Sequence, residues 1–128
     1  MLLFAAIGIL GVVAAAGLWL AGQVLLAERP LSGLRWQGAL HGAGGFVGLV
    51  VLAAALRAAP PAHHAVSMGV GSFGKVAGAL MAMGLLAGGV ILLAHLRRRP
   101  VSIVLVATHG LLGITGYTLL VTYLTMLH

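Results

Sequence analysis

Four long apolar runs constrain this chain more than any other feature of its sequence. They cover residues 2–27, 36–56, 75–96 and 101–127. An α-helix needs about 20 apolar residues to cross the hydrocarbon core of a bilayer, and every run is long enough. Because the runs take up most of the 128 residues, the sequence predicts a single transmembrane domain over residues 1–128 and no soluble domain.

The few polar residues exclude several classes of function. Only 6% of the residues are charged, the mean hydropathy is +1.18, and there is no cysteine. The single acidic residue is Glu28, so neither a carboxylate-based hydrolase nor a carboxylate proton relay can be assembled. The formal net charge is +6, but the basic residues lie at the ends of the runs, where membrane topology places them. We therefore expect the lipid bilayer, and no nucleic acid, as a partner.

The connections between the runs predict the topology. Pro30 and Gly33 interrupt the first link, and the third link is only the short stretch RRRP. Short connections force neighbouring helices to run antiparallel. We predict an all-α, up-down-up-down four-helix bundle made of two tandem helical hairpins.

The basic residues also predict an orientation. Five lie on the side of links 1–2 and 3–4, and two lie on the other side: Arg29, Arg35, Arg97, Arg98 and Arg99 against Arg57 and Lys75. Because cytoplasmic loops carry an excess of Lys and Arg, we expect those two links in the cytoplasm and both termini outside. The location that we expect is a bacterial inner membrane.

A short motif occurs twice, once in each hairpin. HGAGGFVGLVVL begins at His41 and HGLLGITGYTLL begins at His109, with His and then Gly at +1, +4 and +7 in both. From Arg35 and Arg99, the two histidines lie roughly 9 and 15 Å into the membrane at 1.5 Å per residue. We expect them to face each other across the bundle as mates of a pseudo-two-fold axis.

Each motif histidine shares its helix face with two glycines. Gly45 and Gly48 lie on the face of His41, and Gly113 and Gly116 lie on the face of His109. One interpretation is helix packing, because small residues let membrane helices approach closely. The other is a slot for a flat prosthetic group, since a b-type haem needs an imidazole on each side and space beside it.

The arrangement of His41 and His109 resembles the four-helix membrane b-type cytochromes, in which the second and fourth helices supply the axial histidines. Those proteins often hold two haems, with two histidines on each ligand helix. Here each of the two helices has one, so the resemblance implies one haem b and electron transfer between a quinone and a partner redox protein. A quinone-linked redox enzyme would fit the same site. The alternative is a haem-free accessory or assembly subunit of a larger membrane complex.

Four further residues have candidate supporting roles. Arg97 and Arg98, with Arg99, could pair with the haem propionates, because arginine makes charge-assisted bonds to carboxylates. The alternative is a positively charged membrane anchor. His95 is a candidate propionate or quinone contact or an alternative haem ligand, and the other interpretation is a solvated residue at a helix end.

Overall fold

The computed structural model describes residues 1–25, 35–58 and 72–126. These residues form four helices and no strand: α1 (Leu2–Leu25), α2 (Arg35–Ala58), α3 (Phe73–Leu96) and α4 (Ile103–Thr125). All four are long and apolar enough to cross a membrane. The predicted all-α fold is therefore confirmed. The link with Pro30 and Gly33, together with His63, His64 and His128, falls outside the described residues.

The turn between α3 and α4 explains why α4 begins at Ile103 and not at residue 101. Two backbone bonds close α3, from the Arg98 N–H to the His95 carbonyl at 3.0 Å and from the Arg99 N–H to the Ala94 carbonyl at 2.9 Å. This pair of bonds is the Schellman arrangement. Ser102 then caps α4, because its Oγ accepts a hydrogen bond from the Val104 N–H at 3.2 Å.

The contacts between α1 and α2 establish that they run antiparallel. Gly17 approaches His41, whereas Gly48 approaches Leu10. Residue numbers therefore fall along α1 as they rise along α2. The same reversal relates α2 to α3 and α3 to α4, so the chain runs up, down, up and down.

The four helices form a closed ring in which α2 and α4 are diagonal. Each helix packs against two neighbours, in the order α1, α2, α3, α4 and back to α1. The buried core brings together residues from all four helices: Ala6, Leu10, Leu52, Ala77 and Leu120. A side chain that reaches from α2 to α4 must therefore cross the centre of the bundle.

The outer surface of the bundle is apolar. Leu18, Leu86 and Leu111 are 67%, 73% and 67% exposed, and they belong to a large set of exposed apolar side chains. Exposed apolar patches of this extent mark a surface that is covered by lipid or by a partner. Together with the length of the helices, this surface indicates an integral membrane protein.

Candidate functional site

His41 of α2 and His109 of α4 meet across the diagonal of the bundle. Their ring centroids are 5.8 Å apart and the ring planes are at 85°, an edge-to-face contact. Both residues lie six positions after the first residue of their helix, roughly 9 Å along the axis. The expected convergence is observed. The expected offset of about one turn disappears, because the turn after Arg97 places the start of α4 at Ile103.

A backbone carbonyl of the preceding helix holds each imidazole. His41 Nδ1–H donates to the Val13 carbonyl at 3.0 Å, and His109 Nδ1–H donates to the Gly84 carbonyl at 2.8 Å. A carbonyl oxygen can only accept, so the proton must lie on Nδ1 in both rings. In a neutral imidazole this leaves Nε2 with its lone pair available to a metal or to a hydrogen-bond donor.

Each imidazole also lies over a glycine of that same neighbouring helix. A Cβ atom added at Gly17 would lie 2.7 Å from His41 Cε1, and one added at Gly88 would lie 3.0 Å from His109 Cε1. Gly17 follows Val13 by four residues, just as Gly88 follows Gly84. The two hairpins therefore repeat one structural unit, which consists of a carbonyl, a glycine one turn later and a histidine.

At two of the four glycines predicted to flank a haem, a neighbouring helix already fills the space beside the glycine. A Cβ at Gly48 would lie 2.7 Å from Leu10 Cδ2, and a Cβ at Gly116 would lie 2.8 Å from Met81 Cγ and 3.1 Å from the Ala77 carbonyl. Close approach of α1 to α2 and of α3 to α4 accounts for both glycines. A role for Gly48 and Gly116 beside a cofactor stays a prediction.

An added Cβ atom would fit without a clash at the other two predicted glycines. A Cβ at Gly45 would meet Val13 Cγ1 at 3.7 Å and Leu85 Cδ1 at 3.8 Å, which are ordinary contact distances. A Cβ at Gly113 would meet no atom within 4 Å, apart from its chain neighbours and its own helix backbone. Both glycines follow their histidine by one turn, but only the space at Gly113 is open, because Val13 and Leu85 already lie at contact distance at Gly45.

His95, Arg97, Arg98 and Arg99 lie apart from this pair. His109 packs on Gly88, so His95 is seven residues farther along α3, roughly 10 Å away along the axis. The arginines are farther still, and all three are exposed. The Nε2 atom of His95 is buried without a hydrogen-bond partner, which leaves a polar atom available to a ligand.

A groove between α1 and α2 opens on the outer surface and reaches His41. Its volume is about 600 Å³ and its lining is almost entirely apolar, with Trp19, Gln37 and Leu40 near one end. Val13 and Gly44 form part of its wall. The groove therefore connects the lipid-facing side of the first hairpin with one of the two imidazoles.

The sequence reasoning missed the carbonyls and the glycines on which the two rings rest. A signal exists in α3, where Gly84 and Gly88 form a GxxxG motif. In α1 the corresponding positions are Val13 and Gly17, which form no such motif.

Comparison of the chain with protein-family models, with curated proteins and with solved structures finds no match.

Two facing imidazoles are a donor set that suits haem iron better than a bare ion. Within the described ranges no group of three or more His, Cys, Asp or Glu side chains converges, whereas structural zinc takes about four protein ligands. Haem iron needs only axial ligands from the protein. The centroids of the two rings are 5.8 Å apart, so the two imidazoles belong to one site in the centre of the bundle.

Proposed function

We propose that the protein is a membrane electron-transfer protein that holds one b-type haem between α2 and α4. The observation that carries the proposal is the pair formed by His41 and His109, which meet at 5.8 Å across the bundle diagonal. Both rings have their Nδ1–H bonded to a carbonyl. Ligating histidines commonly donate their other ring N–H in this way, which fixes the tautomer and the ring orientation.

In this proposal the residues around the pair have distinct tasks. His41 and His109 would hold the iron through Nε2, and the carbonyls of Val13 and Gly84 orient the two rings. Gly113 would leave space beside His109, whereas Val13 and Leu85 lie at contact distance at Gly45 and would have to shift to make space beside His41. When bound, a b-type haem supplies reversible one-electron chemistry, and its potential depends on its ligands and on the polarity around it.

The proposed polar contacts to the haem propionates or to a quinone lie at the end of the bundle where α3 ends, which is the proposed cytoplasmic end. His95 is the candidate nearest to the histidine pair, and its unpartnered Nε2 can bond to a carboxylate or to a quinone oxygen. Arg97 and Arg98 are exposed and lie just beyond the end of α3. The quinone and a partner redox protein are the proposed electron donor and acceptor.

The proposed location is a bacterial inner membrane, with links 1–2 and 3–4 in the cytoplasm. Arg97, Arg98 and Arg99 support this orientation because all three are exposed at one end of the bundle. Arg57 and Lys75 are exposed at the other end. The excess of positive charge at the first end favours the cytoplasmic side.

A haem-free accessory subunit of a larger membrane complex is the second candidate. It is favoured by the packing at Gly48 and Gly116, where Leu10 and Met81 already occupy the space. Several other glycines have no neighbouring atom within 4 Å and would let further helices approach: Gly8, Gly22, Gly38, Gly42 and Gly89. In an accessory subunit the two histidines would serve only as interhelical hydrogen-bond donors that stabilise the packing of the helices.

An absorption spectrum of the purified protein distinguishes the two candidates. The protein is expressed with ample haem, and the reduced-minus-oxidised difference is recorded. We expect sharp Soret and α bands, whereas a colourless sample would contradict haem binding and support the accessory subunit.

Substitution of the individual histidines tests which of them bind the iron. We expect His41→Ala and His109→Ala each to abolish the low-spin spectrum, because each removes one of two axial bonds. His95→Ala is the control, and we expect it to retain the haem with a shifted midpoint potential. Loss of low-spin haem in His95→Ala, with a normal spectrum in His41→Ala or His109→Ala, would show that the ligand pair is wrong.

A further inference from the structure

Three consecutive exposed arginines occupy the tight turn after α3. We call Arg97, Arg98 and Arg99 the arginine turn. The turn is fixed from both sides, because the Schellman bonds close α3 before it and Ser102 caps α4 after it. The backbone of three consecutive exposed arginines is therefore fixed at one end of the bundle.

The chain itself offers almost no negative charge to neutralise the arginine turn. The described residues contain no Asp or Glu, and the whole sequence has one acidic residue against seven Lys and Arg. Most of the positive charge at this end must therefore be balanced from outside the protein. In a bilayer the abundant anions at this depth are phospholipid headgroups.

The backbone of Arg98 gives a second, independent reason to assign a function to the turn. Arg98 has a φ of +54°, and it occupies the position after a helix where glycine is usual. A side chain in this left-handed conformation costs about 1–2 kcal/mol. A charged residue that is kept at a strained position, where glycine would fold better, points to a role for the charge.

We propose that the arginine turn binds the phosphate of anionic phospholipids such as phosphatidylglycerol. Guanidinium groups bind phosphate through charge-assisted and often bidentate hydrogen bonds. Such binding would hold this end of the bundle at the anionic surface of the cytoplasmic leaflet. The proposal does not depend on haem, and it applies equally to a haem-free protein.

Trp36 provides a local probe of the lipids at this end. Gly45 faces Leu85, so Trp36 in α2 lies at the level of Ala94 in α3, three residues before the arginine turn. Trp36 is 72% exposed. The sequence has two tryptophans, and Trp19→Phe leaves Trp36 as the only one.

The experiment measures quenching of Trp36 by lipids with brominated acyl chains in the haem-free Trp19→Phe protein. Brominated phosphatidylglycerol is compared with brominated phosphatidylcholine in nanodiscs of otherwise equal composition. Each arginine near the surface should strengthen the preference for the anionic lipid roughly fivefold, so R97Q/R98Q should weaken it roughly 25-fold. High salt should weaken it as well.

The matched control removes two positive charges from the opposite end. Arg57 and Lys75 are exposed there, and R57Q/K75Q changes the net charge as much as R97Q/R98Q does. We expect this control to retain the preference at Trp36. Equal losses in both double variants would overturn the proposal in favour of a non-specific charge effect. Equal quenching by both lipids would overturn it too and would leave an acidic partner protein as the occupant.

Arg98→Gly separates lipid binding from folding. It relieves the left-handed strain, so the unfolding temperature in phosphatidylcholine should rise. It removes one charge, so the preference for phosphatidylglycerol should fall roughly fivefold. A variant that unfolds more easily, or that keeps the full lipid preference, would contradict the proposed role of Arg98.

Discussion

The two hairpins hold their histidines in the same way but pack their helices differently. In the second hairpin, backbone approaches backbone, because a Cβ at Gly84 would lie 3.7 Å from the Gly113 nitrogen and 3.8 Å from the His109 carbonyl. In the first, side chains of α1 fill the space at the glycines of α2. Val13 Cγ2 lies 3.0 Å from the Cβ position of Gly44.

This difference affects how easily each hairpin can adjust around its histidine. The groove of about 600 Å³ lies on the first hairpin and includes His41 in its wall. Small side-chain adjustments can relieve a side-chain contact, whereas a backbone contact cannot yield without moving a helix. We infer that the second hairpin is the rigid half of the site and that the first can adjust more easily around its histidine.

The largest difference between the hairpins should come from alanine at their tightest glycines. Gly116→Ala places a Cβ 2.8 Å from Met81 Cγ and 3.1 Å from the Ala77 carbonyl. We expect it to lower the free energy of unfolding by about 2–3 kcal/mol, because the helices must separate. Gly48→Ala meets Leu10 Cδ2 at 2.7 Å and Ile9 Cγ2 at 3.2 Å but no backbone atom, so side-chain adjustment should limit its cost to about 1–2 kcal/mol.

Unfolding in mixed micelles with a rising fraction of denaturing detergent, followed by circular dichroism, measures both values. Gly113→Ala is the control for alanine in a membrane helix, since no atom lies within 4 Å of its Cβ position. Equal costs for Gly116→Ala and Gly48→Ala would contradict the idea that the second hairpin is the rigid one.

A smaller contrast should appear at the glycines beneath the rings. Gly17→Ala brings a Cβ to 2.7 Å from His41 Cε1, so the ring must move into the groove and lose its bond to the Val13 carbonyl. Gly88→Ala brings a Cβ to 3.0 Å from His109 Cε1, which a shift of a few tenths of an ångström relieves. Loss of one interhelical hydrogen bond costs about 0.6–1.7 kcal/mol in a membrane.

Solid-state ¹⁵N NMR of the imidazole nitrogens in bilayers resolves this contrast. We expect the Nδ1 resonance of His41 to move clearly in Gly17→Ala and that of His109 to stay nearly unchanged in Gly88→Ala. Gly42→Ala, where no atom lies within 4 Å, should move neither. A larger shift for His109 than for His41 would reverse the assignment of the mobile half.

The sequence predicted the bundle because length and apolarity determine membrane helices almost by themselves. It also predicted that His41 and His109 converge, because a repeated motif in two hairpins of equal topology places equivalent residues opposite each other. The ends of the helices were less predictable. The start of α4 depends on the Ser102 cap and on the left-handed Arg98, which apolarity alone does not reveal.

The supports of the histidines could not be predicted, because they depend on which helix each ring faces. A backbone carbonyl has no sequence signature, so Val13 and Gly84 could not be distinguished from their neighbours as hydrogen-bond acceptors. The glycine faces of α2 and α4 predicted a slot beside each ring. Whether a neighbouring helix fills that slot, as it does at Gly48, is decided by the packing register between helices.

The smallest effect that we expect is the coupling between the two imidazoles themselves. His41→Ala and His109→Ala each remove one hydrogen bond to a carbonyl and one half of the edge-to-face contact. The double variant loses the ring contact only once, so its loss of unfolding free energy should be smaller than the sum of the two single losses by about 0.5–1.5 kcal/mol in the haem-free protein.

The control cycle pairs His41→Ala with His95→Ala. These two sites are roughly 10 Å apart along the axis, so their losses of unfolding free energy should be additive within about 0.5 kcal/mol. The same unfolding assay measures both cycles, and additivity of His41→Ala with His109→Ala would mean that the two hairpins hold their histidines independently.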